Sequence, residues 1–201
     1  MIYSEIKVGS VEEIQRRLGN FKAKTPLVLS RAINRAISNV KKNMGKETSA
    51  LYFISSSDVT NTVRIVKSSK SSLKAAAISA GGGIALSKFK VKPFTYRKKL
   101  PPSENRRKWK PPRVYEAGVK KDGGMKPLDG NPKAFLVQMQ SGHVGVMERK
   151  TGKSFPIKQL YGPSVPQIVK NEKIMTKINK EASETLQKRI DAEINNILRK
   201  G

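Results

Sequence analysis

The sequence has no cysteine among its 201 residues. Disulfides and thiolate metal sites are therefore excluded, and the composition suits assembly in a reducing cytoplasm. Histidine is almost as scarce, with His143 standing alone at an expected hairpin turn. One imidazole with no cysteine or carboxylate pair beside it makes neither a zinc site nor a catalytic triad, so His143 reads as a hydrogen-bonding turn residue. Acids are few, fifteen in all, and dispersed. Adjacent Glu12 and Glu13 point to different sides of a helix, and no arrangement resembles a two-metal carboxylate cluster. Glu116 and Glu148 read either as buried counterions of a basic sheet or as exposed groups. Long apolar runs are missing too. Nothing approaches the ~20 consecutive apolar residues of a membrane-crossing helix, and the opening MIYSEIKVGS lacks the apolar core of a signal peptide. Gly152-Lys153-Ser154 has the ending of a phosphate-binding loop. That motif needs a glycine where Met147 stands and a helix where Phe155-Pro156 stands. The expectation is a soluble chain with no catalytic residues, no cofactor, no metal and no membrane partner.

What the sequence has in excess is positive charge. Lys and Arg number 41 against 15 Asp and Glu, a net charge of +26. A free monomer so charged repels itself and adheres to anions. The available counter-surfaces are nucleic acid, an anionic membrane or an acidic protein. Hydrophobic residues make up 37%, low for a compact domain of this length, so much of the chain must stay outside its core.

Along the chain, Val11, Ile14 and Leu18 recur at helical spacing. Ser10 and Glu13 form a capping box, and Gly19-Asn20 ends the helix. Thr25 and Pro26 then open the best-marked helix, as cap and first residue. Leu29, Ile33, Ala36, Ile37, Val40 and Met44 form its apolar stripe, and Gly45 or the Thr48-Ser49 region should end or bend it. Arg31, Arg35, Lys41 and Lys42 lie off that stripe. The plain reading is a solvated basic face, and a DNA-contacting face is the second. Ser55–Asp58 caps a short helix expected near 58–65. Segment 73–80, bounded by serines and by Gly81-Gly82-Gly83, has strand length.

The tract 84–133 concentrates the charge. Between Lys88 and Arg113 stand eleven Lys/Arg and the single acid Glu104, interrupted by five prolines and interleaved with Phe89, Phe94, Tyr96 and Trp109. Strands near 88–97 and 112–119 would be joined by a loop at 98–113 that is too charged to be buried alone and projects from the fold. Its lysines and arginines suit phosphates, and its aromatics suit stacking on bases. Proline-separated cations also suit an acidic protein groove. Met175, Ile178, Ala182, Leu186, Ile190, Ile194 and Ile197 hold helical register to the end of the chain. Such a helix, about 167–199, would be longer than a small domain is wide at ~1.5 Å per residue. It packs either on the N-terminal helix or on a neighbouring subunit.

The organising stretch is 134–169. Phe135, Val137 and Met139 alternate as a strand with one buried face. Ser141-Gly142 is a two-residue turn signal, and alternation resumes at Val144 and Val146. Thr151-Gly152 turns again, and Phe155-Pro156-Ile157, Pro163 and Pro166 lead out in extended form. This order of strand, Ser-Gly-His, Val-Met-Glu-Arg at 146–149, Phe-Pro-Ile and a Pro-x-x-Pro exit into a helix resembles the minor tail protein Z family of tailed phages. So does the helical stretch Ser30-Arg31-Ala32-Ile33-Asn34-Arg35-Ala36. The family is related in turn to tail-completion and head–tail joining proteins.

The elements imply an α+β fold. A small antiparallel sheet would pack against an N-terminal helix and a long C-terminal helix, with a projecting basic loop, in one domain spanning 1–201. The resemblance implies a virion component that is assembled in the bacterial host cytoplasm. It would complete or cap the head-proximal end of the tail tube and join it to the connector. Its implied partners are further copies of itself in a hexameric ring, tail tube or tail terminator proteins, head connector proteins and packaged DNA. Arg97, Lys98, Lys99, Arg106, Arg107, Lys108, Trp109, Lys110 and Arg113 are the candidate contacts to DNA or an acidic partner. Phe155, Pro156, Ile157, Tyr161, Pro163 and Pro166 are the candidate arm for a neighbouring subunit or partner. Where the family carries a dense arginine run, this chain spreads lysine and arginine between prolines, and lysine lacks arginine's bidentate fork. The competing reading is a free nucleic-acid-binding protein, associated with the nucleoid or ribosome. It needs only the charge and the aromatics, and no helix–turn–helix, RNP or zinc-finger signature supports it.

Overall fold

The computed structural model describes residues 11–96 and 110–200, which divide into two compact units. One unit is mainly helical and takes residues up to Thr48, Ser56–Gly81 and the chain from Val165 onward. The other takes Ser49–Ser55 and Gly82–Ser164 and is built of strands.

The helical unit opens with α1 (Val11–Leu18), which buries Ile14 and Leu18. Gly19 ends it with φ +53, a left-handed conformation that a side chain resists. A 3-10 segment, Gly19–Lys24, then runs directly into α2 (Thr25–Leu51). This continuity changes the role of Thr25. Its backbone is already helical, and its hydroxyl donates back to the Lys22 carbonyl at 2.6 Å instead of capping α2. The expected apolar stripe is buried throughout. Gly45 does not end the helix, which continues to Leu51, just past the Thr48-Ser49 region that was the other expected end. A Cβ at Gly45 would overlap Ser56 Oγ and lie 2.8 Å from Thr60 Cγ2, so this glycine lets α3 (Ser56–Thr60) approach closely.

The helix expected at 58–65 stops early. Residues Val63–Val66 form β1, antiparallel to β2 (Ala76–Ser79). Val63, Ile65 and Val66 are β-branched and favour the pleated surface over a helix turn. The strand expected within 73–80 is β2.

The expected C-terminal helix is two helices, α4 (Val165–Val169) and α5 (Glu172–Lys200). Asn171 separates them: its Oδ1 accepts the Lys173 N–H at 3.1 Å, an N-cap for α5. Helix α5 buries Ile174, Ile178, Ala182, Leu186, Ile190, Ile194 and Ile197. Met175, one residue off that row, is half-buried. Leu186, Ile190, Ile194 and Ile197 join Ile14, Leu18, Val28, Leu29, Ala32, Ile33 and Ala36 in one core cluster. Of the two packings open to α5, the described chain adopts the one on its own N-terminal helices. Buried Glu47 of α2 adds a polar tie, with Lys177 Nζ at 3.3 Å and Lys46 Nζ at 3.5 Å. Glu181 and then Glu47 raise the pKa of Lys46.

The strand unit holds two three-stranded antiparallel sheets. In the first, β3 (Lys90–Lys92) pairs with β4 (Glu116–Gly118), which pairs with β5 (Lys126–Pro127). Val91 and Ala117 face inward, while Lys90 lays its Nζ 4.6 Å from the Phe53 ring centre. Residues 51–53 extend the pairing past β4, through Phe53 N–H to Val119 O and Lys121 N–H to Leu51 O. The Tyr115 hydroxyl donates to Thr95 O at 2.7 Å. Burial pushes the Tyr115 phenol's pKa up, against the lowering effect of hydrogen bonds at Leu136 and Thr95. Folding therefore favours the neutral phenol. Its stabilisation is complete below the ordinary value of ~10 and is lost as pH rises through the raised folded value. Urea melts between about pH 9 and 11 should show a shallower alkaline loss of stability in Tyr115→Phe than in the parent.

The second sheet is β6 (Phe135–Gln138), β7 (Val144–Arg149) and β8 (Ile157–Gln159). Its buried pair is Leu136 opposite Val146, not the Phe135–Val137–Met139 face expected from alternation. Both faces of the hairpin are partly covered: Met147 is buried opposite Phe135, whose ring carries the Arg149 guanidinium at 5.1 Å. Alternation therefore chose the wrong side for β6, while on β7 it fell on the buried Val146. The turn has three residues instead of two. Gly142, at φ +83, donates to Met139 O, and Met139 N–H donates to His143 O, the geometry of a turn followed by a left-handed glycine. The extended stretch after the second turn includes β8, the third strand. The fold is α+β as expected, with its strands shared among three small sheets.

Candidate functional site

Helix periodicity places a cationic surface on the helical unit. On α2, Arg31, Asn34, Arg35, Ser38, Asn39 and Lys42 recur every three to four residues and so share one side of the helix. On α5, Thr185, Lys188, Arg189 and Glu193 do the same. With Lys67, which follows β1, they line two adjoining open cavities of about 460 and 690 Å³ that share Arg35 and Ser38. Together these form one shallow groove.

Its floor is fixed by hydrogen bonds. Asn34 receives the Ser68 N–H on Oδ1 at 2.8 Å and donates Nδ2 to Ser68 O at 3.0 Å. Ser30 Oγ also donates to Ser68 O, and Ser68 Oγ returns a bond to Ser30 O. The chain after β1 is thereby clamped to α2, which holds Lys67 beside Arg31 and Arg35. Asn39 Nδ2 donates to Thr185 Oγ1 at 2.6 Å and joins α2 to α5 across the groove. Replacing Asn34 with alanine strands the Ser68 N–H and should cost about 1–3 kcal/mol in a denaturant melt.

Six cations line the groove against one acid, Glu193, whose Oε2 lies 3.3 Å from Arg31 Nη1. Arg35, Lys42, Lys67, Lys188 and Arg189 form no ion pair among the described residues. The hydroxyls and amides of the lining are engaged, Ser38 with Asn34 O, Asn34 with the Ser68 backbone and Asn39 with Thr185, so what the arrangement presents is chiefly positive charge. No group of three His, Cys, Asp or Glu able to hold a metal occurs among the described residues. No helix there is long and apolar enough to cross a membrane.

None of the described candidate contacts from the sequence is among the residues lining this groove. Arg97, Lys98, Lys99, Arg106, Arg107, Lys108 and Trp109 lie outside the described residues, as does Ser10. Lys110 and Arg113 are exposed on the strand unit. Phe155 is 73% and Tyr161 60% exposed, Pro156 is exposed, and Ile157 and Pro163 are half-buried, all on that same unit. Pro166 belongs to the helical unit, buried within α4. His143 contacts Gln159 of β8 at 3.2 Å, Nε2 to Nε2, as a turn residue. Glu148 is half-buried and pairs with Lys158 at 3.1 Å, whereas Glu116 is exposed.

The family model described as prophage minor tail protein Z matches residues 8–200, nearly the whole chain. The chain belongs to the prophage minor tail protein Z family. This minor tail protein is thus a structural protein of the phage tail. No curated protein and no solved structure gives a significant match. In this family member, Ser30–Ala36, one stretch of the resemblance, also builds the groove. Ser30 and Asn34 clamp Ser68, and Arg31 and Arg35 line the wall. The sequence flags Arg31, Arg35 and Lys42, first as a solvated face and second as a DNA-contacting one. Sequence reading missed Lys67, Lys188 and Arg189. For Lys188 and Arg189 the signal was a second polar stripe at 185, 188 and 189, on the flank of the α5 apolar row; Lys67 carried none.

Proposed function

We propose that this minor tail protein completes the head-proximal end of the tail tube and joins it to the head connector, as a ring of identical subunits. Membership of a tail family carries the reading. The net charge of +26 supports it, since a free chain with that charge needs a counter-surface that an assembly supplies. β8 lies at the edge of its sheet, with exposed Phe155 and Tyr161 flanking it. An edge strand with apolar neighbours is suited to pairing with another copy or a tail partner. Lys110 and Arg113 offer further cationic contacts on the same unit.

Close approach of six +26 subunits is opposed by their charge, so ring formation should be strongly salt-dependent. Mass photometry of the purified chain from low to high salt, with and without connector protein, checks this. Rings that appear only with added salt or an anionic partner are expected. An oligomer distribution identical at all salt concentrations contradicts the charge argument. Quantitative protein analysis of purified particles should find the chain at a few copies per particle. Its absence from particles overturns the assignment to the mature tail.

A further inference from the structure

We propose that the groove between α2 and α5 grips the phosphate backbone of duplex DNA without reading its sequence. The inference goes beyond placement at the head-proximal end and stands without it.

Spacing is the first argument. Arg31 to Lys42 spans eleven residues of α2, or about 16 Å of rise. One DNA strand presents a phosphate every ~3.4 Å along its axis, so this row runs past about five phosphates. Lys188 and Arg189 of α5 add a second cationic row along the same groove. Arg35 and Arg189 supply planar forks matched to phosphate oxygens, and the lysines supply point charges.

The lining selects among polyanions. Among the described residues it contains no aromatic side chain, whereas single-stranded nucleic acid is held largely by base stacking on aromatics. Apolar anchors are also missing from the described lining, and these dominate the cores of protein–protein interfaces, where lysine is depleted. The amides that would read base edges are already occupied, Asn34 by Ser68 and Asn39 by Thr185. What remains free is positive charge on a hydrogen-bonded frame, the requirement for backbone contact without base readout.

The test uses the full chain and fluorescence anisotropy with a labelled 24-base-pair duplex of arbitrary sequence, over a salt series. The groove variant is Arg35→Gln/Lys42→Gln/Lys188→Gln/Arg189→Gln. The control, Lys121→Gln/Lys133→Gln/Lys150→Gln/Lys153→Gln, removes the same charge from exposed positions of the strand unit. Circular dichroism melts confirm that both remain folded. The groove variant should bind about 10²–10³-fold more weakly near ~150 mM salt, with a log–log salt slope shallower by about 3–4. The control should keep most of the parent's affinity and slope. Equal losses in the two variants overturn the proposal, because net charge alone would then account for binding. Groove-dependent binding that prefers single-stranded DNA, or that poly-glutamate displaces as readily as duplex, also overturns it.

Discussion

Replacing Ile190 with alanine should lower the stability of the helical unit by about 2–5 kcal/mol. Ile190 is buried in the cluster that joins α5 to α1 and α2. Its neighbours cannot collapse into the vacated space easily. Ala32 and Ala36 of α2 are already small and fully buried, which brings the helix backbones close, and Ile194 and Leu186 hold the adjacent turns of α5. The loss therefore combines transfer of the removed methyl and methylene groups with a residual cavity. Urea unfolding followed by helical circular dichroism should show a lower midpoint with an unchanged slope. The same substitution at Leu198, exposed on the same helix, should change stability by less than about 0.5 kcal/mol. Equal effects at the two positions would mean that α5 does not pack on α1 and α2.

Gly45→Val should destabilise by about 1–3 kcal/mol or more, and the sign is the informative part. At a solvent-exposed helix position, replacing glycine with alanine gains up to about 1 kcal/mol. At Gly45 the new Cβ meets Ser56 Oγ, Thr60 Cγ2 at 2.8 Å and the Ser56 carbonyl at 3.0 Å. The serine hydroxyl can rotate away, but the Ser56 carbonyl is backbone of α3, and the methyl of Thr60, the last residue of α3, is oriented by the hydrogen bond from Thr60 Oγ1 to Ser57 O. Gly45→Ala should therefore be neutral or destabilising, and valine, with branches at Cβ, clearly worse. Thermal melts of both variants decide it. Stabilisation by alanine would assign Gly45 no packing role.

These two residues mark how far the sequence could be read. The α5 row containing Ile190 was legible because a long strict period admits one interpretation. Gly19 was legible as a terminator for a local reason, since a positive φ after a helix needs only its own residue. Gly45 looked the same in sequence, yet its reason is a contact with residues eleven and fifteen positions later. Val59, Val63 and Val66 fell at helical spacing by coincidence, and the β-branched chemistry of the last two prevailed. Phe135 and Leu136 were indistinguishable by alternation, because both faces of that hairpin are partly covered. Asn171 broke an otherwise uninterrupted helical tract through its own side-chain cap.

The groove was the least legible feature. Its halves lie far apart in the chain, and the Asn39–Thr185 bond links residues 146 positions apart. Each helix alone shows an ordinary polar stripe. Only their packing turns two solvated faces into one cationic channel. Charge density along the sequence pointed instead to 97–113, where lysines and arginines are neighbours. The 134–169 hairpin and the Ser30–Ala36 stretch were enough to identify the family, which now rests on a match over residues 8–200.

The most direct test of the account is electron microscopy of intact tails carrying a gold-labelled or fusion-tagged copy of this chain. The account predicts label at the head-proximal end of the tube, in a ring, and none along the shaft. Label at the opposite tip, or tails that assemble without the chain and join heads normally, would contradict it.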